Sequence, residues 1–139
     1  MSGSSPGAPF TINLTYHERA GGHTLANHVG KSVTWLQHRL SQDLTIPNAS
    51  TFPDLQTAEY AVNRVIQANL AAFQAWLVSR KHIAAFDHET GSHIGMILQR
   101  TPLPGALNPL SATKARVVVK KTVNAYASGF LVLTAFPIV

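Results

Sequence analysis

The chain is 139 residues long, 45% apolar and only 12% charged, so it has the composition of one globular domain with a real core. It contains no cysteine, which excludes a disulfide framework, thiolate-bound zinc, Fe–S clusters and a thiol nucleophile. Eleven Lys and Arg against six Asp and Glu leave a net charge of +5, which favours an anionic partner over the competing reading of plain solubility.

Met1 to Pro9 is rich in Ser, Gly and Pro, and residues 1–13 read as a linker, as if the domain at 14–139 had been cut from a longer chain. The segment has no charged stretch followed by an apolar one, so it does not read as a secretory signal. No apolar run approaches the ~20 residues of a membrane span, and no basic amphipathic helix marks an interfacial segment. A membrane is not an expected partner.

Gly21-Gly22 punctuates the chain before a short helical stretch from His23 to about His28, which Gly30 is placed to end. Ser32 caps a second helix to about Asp43, with Val33, Leu36 and Leu40 on one face. Pro47, Asn48 and Ser50 make Leu44–Phe52 a loop. Pro53 and Asp54 open the longest helix. Its apolar positions run from Leu55 through Val62, Val65, Ile66 and Phe73 to Leu77, over roughly six turns. That stripe is a core face rather than a ligand box.

Beyond Arg80 the pattern changes to short β-branched and apolar runs at His82–Phe86, Ile94–Gln99, Ala115–Lys121 and Ser128–Phe136. Glu89–Ser92 reads as a turn, and Thr101–Lys114, with three prolines, as a long loop. Helices first and strands second predict an α+β fold with an antiparallel sheet.

Most familiar site chemistries fail on spacing. Gly30-Lys-Ser32 resembles the tail of a phosphate-binding loop, but Leu25 stands where the motif needs its first glycine. His23 and His28, like His88 and His93, are five apart, whereas two ligands on one helical face want three or four. No metal or other cofactor is expected. No Gly-x-Ser-x-Gly elbow is present. Of the six acids, Asp43, Asp54, Asp87 and Glu89 read as cap or turn residues, which argues against a glycosidase pair.

The segment Gly21–Leu40 remains. It carries His23, His28, Lys31 and Arg39 on a helix-turn-helix. On one unbroken helix His28 and Arg39 would be ~16 Å apart, but a break at Gly30 lets the chain fold back and join them. A histidine takes or gives a proton near neutral pH, and a guanidinium holds a phosphate bidentately. Together they suit metal-free phosphoryl transfer on RNA, whose 2′-hydroxyl is the built-in nucleophile. The competing reading is a capping histidine and a surface arginine.

These residues resemble the signature of the bacterial RNase A-like toxin domain, found at the C-terminus of polymorphic toxins that include contact-dependent inhibition proteins. The resemblance covers nearly the whole chain from about Leu14. It rests on Gly21-Gly-His-Thr-Leu25, His28-Val-Gly-Lys-Ser32, Leu36-x-x-Arg-Leu40 and Ala49-Ser-Thr-Phe-Pro-Asp54, then Ala58-Glu59, Ala75-Trp-Leu77, Arg116-Val-Val-Val119 and Leu133-Thr-Ala-Phe-Pro137. Each motif is weak alone; their order and spacing are specific.

The resemblance implies N-terminal helices on a curved antiparallel sheet, without disulfides. It implies a metal-independent endoribonuclease that leaves a 2′,3′-cyclic phosphate, delivered as part of a larger toxin into a target cell's cytoplasm. RNA, either tRNA or bulk RNA, would be the substrate, and an acidic immunity protein the partner of an otherwise monomeric domain. By the same resemblance His28 is the general base, Arg39 the phosphate clamp and Thr134 a hydrogen-bonding residue of the site. Lys31 would add phosphate charge. Phe136 stands where the family's terminal motif has tyrosine, and phenylalanine donates no proton. His23 can supply the leaving-group proton, or Phe136 simply packs, beside a base or, as the favoured reading, in the core; the alternative for the whole chain is a non-catalytic RNA-binding or protein-interaction module of the same fold.

Overall fold

A computed structural model describes residues 12–100, 109–122 and 129–139. The expected linker, apart from residues 12 and 13, lies outside them, as do residues 101–108 of the expected loop and Ser128 of the last expected strand. In chain order the elements are α1 (Leu14–Arg19), α2 (Thr24–His28), α3 (Val33–Gln42), β1 (Asn48–Thr51), α4 (Leu55–Ala68), α5 (Leu70–Leu77), β2 (Ile83–Glu89), β3 (Gly95–Gln99), β4 (Leu110–Ala112), β5 (Lys114–Lys121) and β6 (Phe130–Ile138). Two three-stranded sheets result, ordered β1-β3-β4 and β2-β5-β6, and every strand pair in them is antiparallel.

The local chemistry of the elements follows the sequence. Ser32 Oγ accepts from Trp35 N and Asp54 Oδ1 from Thr57 N, which caps α3 and α4. Other elements depart from the expectations. The long helix is two helices, because Asn69 leaves the helical region and its side-chain amide donates to the carbonyls of Val65 and Asp87. Helix α1 was not expected; Asn13 caps it, and Ile12 and Leu14 already belong to the core. The expected loop 44–52 contains β1, and the expected loop 101–114 ends in β4 and the first residue of β5. Both strands are short, and β1 pairs with β3 only across the whole of α4, α5 and β2, so no local pattern announces them.

The main core lies between α4–α5 and the β2-β5-β6 sheet. Ala58, Ala61, Val62, Val65, Phe73 and Trp76 meet Ala115, Val117, Val119, Val132 and Ala135 there. A smaller cluster of Leu36, Leu40, Ala49 and Leu98 seats α3 on the other sheet. The sheets approach closely at Gly95, where a Cβ would collide with the carbonyl oxygen of Thr51 and lie 2.7 Å from Pro137 Cγ. At Gly22 a Cβ would meet the carbonyls of Val132 and His17, so the turn between α1 and α2 presses directly on β6. His17 reinforces that contact, its Nδ1 accepting from Val132 N at 2.8 Å.

Candidate active site

A cleft of about 840 Å³ opens between α2, α3 and β1 on one side and β5 and β6 on the other. His23, His28, Arg39, Thr134 and Phe136 all line it. The helix does break before Gly30, and α2 and α3, each packed on β1, present His28 and Arg39, eleven apart in sequence, to one cavity.

Backbone contacts fix His28. Its carbonyl accepts from Phe52 N at 2.7 Å, and Gly30 N donates to the Phe52 carbonyl at 2.8 Å, so the end of α2 is laced to the end of β1. The His28 Nδ1–H donates to the Ser50 carbonyl at 3.0 Å. Since a carbonyl only accepts, the neutral ring carries its proton on Nδ1 and bares the Nε2 lone pair. Burial pushes the His28 pKa below the usual histidine value, and the positive charges of Arg39 and Lys31 add to the shift. The Ser50 carbonyl and Glu18 oppose it. Glu18 also accepts from Leu25 N and Ala26 N, capping the start of α2 from the neighbouring helix.

Arg39 sits in the last turn of α3, half-buried, and the C-terminal end of that helix is clamped from outside. Arg100 donates from Nη2 to the carbonyls of Leu40, Asp43 and Ile46, at 2.7, 2.8 and 3.2 Å. These bonds fix the segment that contributes Ile46 and Pro47 to the cleft wall.

Strand β6 reaches the cleft through an irregularity. Thr134 pairs with Val118 but Val132 with Val119, so Leu133 is an extra residue in the ladder. Without this bulge, strict alternation from buried Val132 would send Thr134 and Phe136 to the core side. With it, Leu133, Thr134 and Phe136 all line the cleft while Ala135 stays buried. The Leu133 carbonyl accepts from His23 N at 2.7 Å, pinning the start of α2 to the bulge. Thr134 Oγ1 is buried and has no hydrogen-bond partner among the described residues. The Phe136 ring lies beside His28, with centroids 5.2 Å apart.

Lys31 is the one expected site residue that does not line the cleft. Its ammonium lies 4.9 Å from the Trp35 ring centroid, and it reaches His28 only through its field. The cleft also holds residues that sequence reasoning passed over: Asn27, Asn48, Lys114, Arg116 and Asp87. Asp87 is neither a cap nor a turn residue. It lies in β2, opposite Arg116 of β5, and accepts from Arg116 Nε at 2.8 Å and Nη2 at 3.0 Å. Period-two alternation in Lys114–Lys121 is the signal that puts Lys114 and Arg116 on one face. Among the described residues no three His, Asp or Glu side chains converge as metal ligands.

Helices packed on antiparallel sheets, with two imidazoles and guanidinium groups lining the cleft, define an RNase A-like domain built without disulfides. More particularly, residues 22–137 match the family described as the bacterial CdiA-CT RNAse A domain, and the chain belongs to it. Its fold is similar to a chain in the crystal structure of a CdiA-CT/CdiI complex from Y. kristensenii, with a TM-score of 0.73 and 29% identity. That match covers 85% of this chain and all of the other. No curated protein matches. The family is one of ribonuclease toxin domains delivered between bacteria.

Proposed function

We propose that this domain is a metal-independent endoribonuclease that cleaves RNA by transphosphorylation. His28 Nε2 removes the proton from a ribose 2′-hydroxyl. The 2′-oxygen attacks the adjacent phosphorus, the bond from phosphorus to the 5′-oxygen breaks, and the products end in a 2′,3′-cyclic phosphate and a 5′-hydroxyl. His23, the other imidazole lining the cleft, gives the departing oxygen its proton. Arg39 balances the charge gathering on the phosphate oxygens, and Thr134 Oγ1 hydrogen-bonds the bound nucleotide. Lys31 adds positive potential from outside the cleft. The observation that carries this reading is the His28–Ser50 bond, which leaves an oriented Nε2 lone pair in the cleft that Arg39 also lines.

As the effector domain of a larger delivered toxin, it would act on RNA in the cytoplasm of the target cell. A cognate immunity protein with an acidic face would cover the cationic cleft. The test is total RNA incubated in EDTA with wild type and with His28→Ala. General-base loss costs about 10²- to 10⁴-fold, so the variant should leave RNA essentially whole. Cleavage by the variant at the wild-type rate contradicts the assignment.

A further inference from the structure

The Asp87–Arg116 pair has no part in the steps above, yet it lines the same cleft. Its worth to the fold is small. The two side chains are 36% and 44% exposed, and ion pairs this exposed add little to stability. Its position is better explained by what lies next to it. Arg116 is the ladder partner of Asp87 on one side and of Phe136 on the other. Antiparallel register therefore places Asp87, Arg116 and Phe136 in one row across three strands, and the row ends against the His28 ring. Arg116 uses its Nε and one Nη2 proton on Asp87, so three of the five guanidinium donors remain. Each Asp87 oxygen keeps a further lone pair. The pair is thus a nearly neutral plate with acceptors and donors side by side, next to an aromatic ring.

Single-stranded RNA is read by stacking a splayed base on an aromatic ring and hydrogen-bonding its edge. We propose that Phe136, Arg116 and Asp87 form a nucleobase subsite for the nucleotide carrying the attacking 2′-hydroxyl, and that the Asp87–Arg116 pair selects guanine there. The inference rests on the ribonuclease reading. The side of the scissile bond follows from Phe136 touching the histidine that takes the 2′-hydroxyl proton. Guanine follows from its edge: the N1–H and N2–H₂ donors suit the carboxylate, and the adjacent O6 suits the guanidinium. No other base offers two neighbouring donors with a carbonyl on that edge.

The experiment uses four deoxyoligonucleotides, each with a single ribonucleotide (G, A, C or U) at the same position, cleaved by the 139-residue chain. Wild type should cut after guanosine faster than after the other three by roughly tenfold, the scale of a charge-assisted hydrogen bond. Asp87→Asn should pull that ratio towards one. The double exchange Asp87→Arg with Arg116→Asp keeps a cross-strand ion pair, so its melting temperature should stay near wild type while guanine preference is lost. An unbiased wild type, a preference for another base, or a ratio unmoved by Asp87→Asn or by the folded double exchange overturns the subsite alone. No cleavage of any of the four overturns the ribonuclease reading, and the subsite with it.

Discussion

The two walls of the cleft are held by different means. On the helical wall main-chain groups do the holding: the Ser50 carbonyl holds the His28 imidazole, and the Arg100 guanidinium gathers carbonyls around the end of α3, the turn that carries Arg39. On the sheet wall, Lys114, Arg116, Thr134 and Phe136 are placed by strand register and one bulge, and the Asp87–Arg116 pair is half open to solvent. The first arrangement restrains the His28 ring in one tautomer and orientation. The second presents an array of side chains that single substitutions can rewrite without disturbing the core behind it. On the proposed reading, chemistry then belongs to the helical wall and recognition to the sheet wall.

Substitutions on the two walls test that division, and the largest effect is expected on the helical side. Arg39→Ala should lower kcat/KM on RNA by about 10²- to 10³-fold, the scale for losing one transition-state donor. Asp87→Ala, on the sheet side, should lower the summed rate over all bases by less than tenfold. Equal losses in parallel kinetic assays would erase the distinction between the walls. Arg100→Ala should come next. It strands the carbonyls of Leu40, Asp43 and Ile46, so unfolding in urea should show a loss of about 1–3 kcal/mol. Activity should fall as well, because the end of α3 that carries Arg39 loses its clamp.

Acid should act on the helical side as well. Burial lowers the pKa values of both His17 and His28 from the ordinary 6.5. Below that value the unfolded chain binds protons more readily than the folded one, so stability falls as pH drops from about 6.5. Protonation of His17 would also cost the bond from Val132 N, whose acceptor is the His17 Nδ1 lone pair. Melting temperatures recorded from pH 7.5 to 5 should decline, and a flat profile would contradict the environments assigned to these rings. The acid limb of the pH–rate profile should likewise lie below pH 6.5, because the base proposed for His28 must be unprotonated and burial lowers its pKa. The smallest effect is the stability change in Asp87→Ala: at this exposure the ion pair is worth at most about 1 kcal/mol.

How much of this was legible in the sequence also differs between the walls. The amphipathic stripe of α4, its Asp54 cap and the alternation of β5 are short-range patterns, and each was readable. His28, Arg39 and Thr134 were reached through family motifs, and the chain does place all three on one cleft. What stayed hidden depends on distant partners. The tautomer of His28 is set by Ser50, twenty-two residues away. Arg100 clamps α3 from sixty residues beyond Leu40. Asp87 read as a turn acid because its ion-pair partner lies on a different strand, twenty-nine residues later. The bulge at Leu133 breaks the alternation on which a strand reading depends, so the phase of Thr134 and Phe136 could not be had from periodicity alone.

The central claim is that the RNA's own 2′-hydroxyl is the nucleophile and His28 its base. The most direct measurement is cleavage in EDTA of an oligoribonucleotide against the same oligomer carrying one 2′-deoxy sugar at the cut position, with end-group analysis of the products. The account predicts 2′,3′-cyclic phosphate and 5′-hydroxyl ends from the first and no cut at the deoxy position in the second. Cleavage at the deoxy position, or products bearing 5′-phosphates, would contradict it.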